Sequence, residues 1–113
     1  MPKHHPWSVL ALLTLFGCGE LDHNDYVDAR ASAECKKTRI CAEGYFESTY
    51  RDLDDCERER GDQIDDADDN LPRSCDYDGL EGRECVQRIN NMPCEEFAEG
   101  AIGAACDLVW HCE

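Results

Sequence analysis

Nine cysteines in 113 residues are the side chains of this sequence with the most chemistry to offer. A cysteine holds zinc, attacks as a thiolate, carries an acyl group or pairs as a disulfide, and spacing and setting decide among these. From Cys35 onward eight of them follow the pattern C-x5-C-x14-C-x18-C-x9-C-x8-C-x11-C-x5-C. No CxxC occurs and no Cys–His pair has the separation of a zinc finger, so no metal site is expected. At about 8% of a short chain, cysteine reaches the level of a disulfide scaffold. Cys35, Cys41, Cys56, Cys75, Cys85, Cys94, Cys106 and Cys112 are therefore expected to form four bridges. His111 lies beside Cys112 and Glu113, a neighbourhood that suggests thiol catalysis, but a bridged cysteine has no thiolate to offer. Ser74 stands outside any GxSxG motif, and no glycine-rich phosphate loop is present. The acid groups Asp52/Asp54/Asp55 and Asp62 to Asp69 have the oxygens for calcium, yet Asp76-Tyr-Asp78-Gly79 supplies only a fragment of an EF-hand loop. A solvated acidic face is the expected reading. No catalytic residue and no cofactor is expected, and the chain is not read as an enzyme.

The ninth cysteine has a different setting. Lys3 and the amino terminus give residues 1–6 a small positive charge, and an apolar run follows from Trp7 to Phe16. Ten helical residues reach about 15 Å, half of the hydrocarbon core, so the run is too short to span and suits an export signal. It ends in Leu15-Phe16-Gly17-Cys18, which resembles the bacterial lipobox: an apolar branched residue, a tolerant position and a small residue before cysteine. Phe16 departs from the smaller residues commoner at that position. The resemblance implies cleavage before Cys18, a diacylglyceryl thioether on its sulfur and acylation of the new amino terminus. Two or three acyl chains anchor stably where one does not. Gly19, rather than Asp, follows the cysteine, which by analogy with sorting rules favours the outer membrane. The bland alternative is an ordinary signal peptide followed by a coincidental cysteine. With 1–17 removed and Cys18 acylated, eight cysteines remain, an even number.

These side chains need elements to position them. Residues 18–28 are polar and poor in core formers, and are expected to be a tether about 35 Å long when extended, with His23 merely solvated. The cysteine-rich domain is expected over 29–113 and reads as helical. A helix is expected from Ala29 to Ala42, stopped at Gly44. Ser48 or Thr49 would cap a second, broken at Gly61 and frayed over Asp65–Asn70. Asp78-x-x-Glu81 caps a third over Gly79 to Asn90, with Leu80, Cys85, Val86 and Ile89 inward. A short helix from Pro93 to Glu99 ends at Gly100, and one or two turns fall between Ala104 and Trp110. Period-two alternation is nowhere sustained, so no strand is expected. The fold class is all-α, a small bundle of four or five short helices tied by disulfides. Large core formers such as Tyr45, Phe46, Leu53, Ile64, Ile89, Leu108 and Trp110 are few, and a core of this size needs staples. Connectivity has 105 possibilities. Antiparallel neighbours favour Cys41–Cys56 and Cys85–Cys94, with Cys35–Cys112 and Cys75–Cys106 closing the ends.

Charge bounds the partners. The chain carries 26 acidic against 11 basic residues, a net charge of −15, which excludes nucleic acid as an expected partner and disfavours electrostatic binding to anionic lipid. The whole pattern resembles small acidic cysteine-rich lipoproteins of myxobacteria and related deltaproteobacteria. The resemblance rests on the LFGC start, Cys35-x5-Cys41, Tyr45-x-x-Ser48 leading to Asp54-Asp55-Cys56, Leu71-Pro72-x-Ser-Cys75, Glu84-Cys85, Pro93-Cys94-Glu-Glu-Phe97 and the Cys106 to Cys112 ending. It implies the fold and the envelope address and brings no catalytic residue. Two functions follow as expectations. One is an interaction module, anchored to a lipid bilayer through Cys18, whose acidic face meets a basic protein. The other is a structural envelope lipoprotein without a specific ligand.

Overall fold

A computed structural model describes residues 19–113. The expected signal segment 1–17 and the lipidation candidate Cys18 lie outside the described residues. The elements run α1 (His23–Cys41), α2 (Glu43–Thr49), α3 (Leu53–Asp69), β1 (Asp76–Tyr77), α4 (Gly79–Asn91), α5 (Cys94–Ala98), α6 (Ile102–Ala105) and β2 (Trp110–His111). The all-α, disulfide-rich bundle is thus the fold, with six helices among the described residues.

Helix α1 is the axis of the molecule. It packs against α3 and α4 along its length and against α2 and α5 toward its end. Asp22 starts it: the residue is extended, and its carboxylate accepts the Asp25 amide at 2.9 Å. The expected tether is therefore corrected, since its residues from His23 onward are helical and Tyr26 and Val27 are buried. Composition hid this, because only Leu21, Tyr26 and Val27 are apolar between Gly19 and Asp28. A helix flanked on two sides also carries no single apolar stripe to announce it.

Ala42 breaks the helix and turns the chain into α2, so Gly44 lies inside a helix rather than at its stop. Phe46 of α2 packs with Cys35 and Cys56, bordered by Tyr50 and Leu53, as a small second core. Helix α3 is capped not by Ser48 or Thr49 but by Asp52, which accepts the Asp55 amide at 2.8 Å. It runs unbroken through Gly61 and through the acidic stretch to Asp69. Gly61 faces α1, where a Cβ would stand 3.9 Å from Ala31 Cβ and 4.0 Å from Val27 Cγ1. The glycine marks a helix crossing, not a kink.

The absence of strands is also corrected, in a small way. β1 and β2 pair antiparallel, with Asp76 opposite His111 and Tyr77 opposite Trp110. Two residues each are too few to show alternation. Helix α4 begins where expected, with Asp78 accepting the Leu80 and Glu81 amides at 3.0 and 3.1 Å. The reciprocal half of the expected box does not form, because the Asp78 amide donates to the Val109 carbonyl instead of to Glu81. Cys85 and Ile89 are fully buried, but Leu80 points outward and is 52% exposed, like Leu108. Tyr45 is exposed too. Pro93 caps α5 and Gly100, at φ 83°, follows its end. The main core gathers Tyr26, Val27, Ala31, Ile64, Ile89, Met92 and Val109.

All eight cysteines of the domain are bridged, and none of the four expected pairs forms. The bridges are Cys35–Cys56, Cys41–Cys94, Cys75–Cys112 and Cys85–Cys106. The expectation assumed hairpins across short turns. Because α1 is long and central, its middle faces α3 at Cys56 while its end reaches the start of α5 at Cys94. Cys75–Cys112 closes the two-strand ladder, and Cys85–Cys106 ties α4 to the chain after α6.

Candidate functional site

The residues that follow Cys18 are held to the domain almost at once. Gly19 and Glu20 are exposed, and Leu21 is clamped. The Leu21 amide donates to the Gly79 carbonyl at 3.2 Å, and the Tyr77 hydroxyl donates to the Leu21 carbonyl at 2.7 Å. The approach is close enough to require glycine: a Cβ at position 79 would lie 2.7 Å from Leu21 O. Burial of the Tyr77 phenol pushes its pKa up to about 12, with Tyr26, Asp22, Asp78 and Asp68 adding to the effect. The phenol therefore remains a donor to the clamp.

Behind the clamp stands a cluster of rings from α1, β1 and β2. The His23 ring meets Tyr77 and Trp110 edge-on at centroid distances of 5.4 and 5.6 Å, and Tyr77 lies 5.6 Å from Tyr26 and 5.5 Å from Trp110. His23 is not solvated as expected: its Nε2 lies 2.8 Å from Asp68 Oδ2, tying the start of α1 to the end of α3. A second imidazole–carboxylate pair joins His111 Nε2 to Asp78 Oδ2 at 2.8 Å. Asp78 is held below the usual carboxylate range, first by the Glu81 amide and then by His111. A histidine oriented by a carboxylate is half of a general-base device. The other half is a nucleophile, and every described cysteine is oxidised while Ser74 is exposed in the loop before β1. What the arrangement does chemically is hold the entering chain, the ladder and α3 in one register.

The acid clusters divide in the same way. Asp52 is spent as a cap, and Asp55 pairs with Arg51 at 3.2 Å and Arg58 at 2.5 Å. Hydrogen bonds from the Arg51 backbone and side chain lower its pKa. Among the described residues no group of three or more His, Cys, Asp or Glu side chains is arranged to hold a metal ion. Asp28, Asp62 and Asp65 line an open groove of about 370 Å³ between α1 and α3.

One constellation escaped sequence reasoning. Glu34, buried on α1, receives Arg30 Nε at 2.6 Å and Arg60 Nη2 at 2.6 Å, and Arg30 also donates to the Tyr26 hydroxyl at 2.7 Å. Arg30 and Glu34 sit at i,i+4, a signal visible in sequence. Arg60 joins from α3, and nothing in the sequence announces it. The group is a cross-brace between helices, since each charge has a partner within it.

Four intrachain disulfides belong to an oxidising, extracytoplasmic compartment. No described helix is long and apolar enough to cross a membrane. No protein-family model, curated protein or solved structure matches the chain.

Proposed function

We propose that this chain is a lipid-anchored, disulfide-stapled envelope protein whose domain is a protein-interaction module without catalytic activity. The observation that carries the reading is the division of the cysteines: eight pair among themselves, which leaves Cys18 as the ninth, directly after an apolar run and a small residue. A diacylglyceryl thioether on its sulfur accounts for a ninth cysteine left over when the other eight pair in an oxidising compartment. The lipobox likeness of Leu15-Phe16-Gly17-Cys18 and the resemblance to acidic cysteine-rich lipoproteins support the same assignment, and Gly19 favours the outer membrane.

The partner chemistry follows from charge. Beyond residue 17 there are 10 basic and 26 acidic residues, a net −16, on a domain braced against rearrangement. A basic protein or cationic envelope component suits such a surface, and nucleic acid does not. A purely structural lipoprotein is the second reading, favoured by how many of the polar side chains are spent on caps and internal ion pairs.

Metabolic labelling with a fatty acid tests the anchor. The wild type incorporates label and Cys18→Ser does not; label persisting in the variant contradicts the assignment. A pull-down from envelope extract at low and high salt separates the two readings. One stoichiometric, salt-sensitive basic partner supports the interaction module, and no partner supports the structural role.

A further inference from the structure

We infer that the end of the domain formed by Glu20–Leu21, the start of α4 and the turn before β2 is a bilayer-facing surface, in which Leu80 and Leu108 rest at the headgroup boundary of zwitterionic lipid. The inference rests on the proposed acylation of Cys18 and asks where that anchor puts the domain. Only Gly19 and Glu20 separate Cys18 from Leu21, and three Cα steps span at most about 11 Å. Leu21 itself has no slack, because Gly79 and Tyr77 hold both its amide and its carbonyl. A domain so clamped lies on the membrane that carries its anchor.

The surface at that point is apolar where it needs to be. Leu80 follows Gly79, the residue that receives Leu21. Past the β1–β2 pairs the Asp78 amide donates to the Val109 carbonyl at 2.8 Å, so Leu108 and Leu80 stand one and two residues along the chain from the two ends of that bond. Among the described residues, two of the four exposed large hydrophobic ones therefore adjoin the elements that hold the entering chain, each 52% exposed. The other two lie at the opposite end of α1, Ile40 in its last turn and Tyr45 in α2 after it, and the 19 residues of α1 span about 28 Å. Charge selects the lipid. Glu20, Asp22, Asp76 and Asp107 are exposed around this end, so phosphatidylcholine or phosphatidylethanolamine is accepted and anionic lipid is repelled.

Trp110 reports on the contact, being two residues from Leu108 and the only tryptophan once residues 1–17 are removed. The mature protein, extracted from membranes and checked by mass for the acyl groups, is reconstituted into phosphatidylcholine vesicles carrying a headgroup nitroxide. Quenching of Trp110 emission is expected for the wild type and equally for Ile40→Glu. The pair Leu80→Glu and Leu108→Glu together is expected to remove at least half of it while the far-ultraviolet spectrum is unchanged. Should the pair fail to fold, Leu80→Gln alone is compared in the same way and is expected to weaken quenching. Exchanging a third of the lipid for phosphatidylglycerol is expected to lower quenching, and a rise overturns the choice of lipid. An acylated, vesicle-bound protein with no quenching, or with quenching untouched by the leucine variants, overturns this inference alone. A chain without acyl groups overturns it together with the proposed anchor.

Discussion

Three helical glycines offer a test of the packing in which one substitution has two signs. Replacing glycine by alanine in a helix gains about 0.8–1 kcal/mol of propensity in an interior position, and what the new methyl meets decides whether the gain survives. At Gly61 it meets Ala31 Cβ at 3.9 Å and Val27 Cγ1 at 4.0 Å, which is ordinary contact. Gly61→Ala is therefore expected to stabilise the protein by about 1 kcal/mol, raising the melting temperature by about 4–8 °C. At Gly79 the methyl would lie 2.7 Å from Leu21 O and 2.9 Å from Glu20 Cβ. The clamp must open, and its hydrogen bond from the Leu21 amide is lost, so Gly79→Ala is expected to destabilise by about 1–3 kcal/mol. Gly82→Ala resembles Gly79→Ala, because its methyl would lie 2.6 Å from the Tyr77 oxygen that holds Leu21. Guanidinium unfolding on a Cys18→Ser background, non-reducing and followed by circular dichroism, reads all three, with an unchanged slope required for comparison. Loss of stability in Gly61→Ala would refute the straight α1–α3 crossing and restore the kink.

Further outcomes follow from the bridges and the charges. Removing Cys41–Cys94 by paired serine substitutions opens a 53-residue separation and is expected to cost about 4 kcal/mol by loop entropy, the largest of the four, as denaturant midpoints would show. Glu34→Ala leaves Arg30 and Arg60 facing one another, and should cost about 3 kcal/mol, the low end for a broken buried pair because both guanidinium groups keep some solvent. Tyr77 has a folded pKa of about 12 against 10.0, so its stabilising effect is complete below pH 10 and is lost as pH rises toward 12. Absorbance titration at alkaline pH should lose its latest phenol transition in Tyr77→Phe. Asp78 runs the other way: its folded pKa is lowered below 3.8, so its contribution is present above that pH and disappears as pH falls through the folded value. Asp78→Asn should flatten the acid side of the stability profile.

What the sequence disclosed was local. The Asp78 cap, the helix it opens and the glycine after α5 are decided by side chains within four residues of the backbone they serve. So is the bridged state of the eight cysteines, which needs only an even count and an oxidising compartment. The bridge partners were not legible, because they depend on α1 being long enough to meet α3 at Cys35 and α5 at Cys41. Its first turn was hidden because its polar histidine works at long range: His23 reaches Asp68 across 45 positions. The clamp on Leu21 was equally invisible, since it joins residues 56 and 58 positions apart. That clamp replaces the expected polar tether with a chain held to the domain from Leu21 onward.

The central claim is the division of nine cysteines into one acylated residue and four bridges. Intact mass of the membrane-extracted protein, denatured without reductant and treated with iodoacetamide, tests it most directly. The expected product is a chain beginning at Cys18 that carries acyl groups, lacks eight hydrogens and takes up no alkyl group. One added alkyl group, or a chain that starts elsewhere without acyl mass, would contradict it.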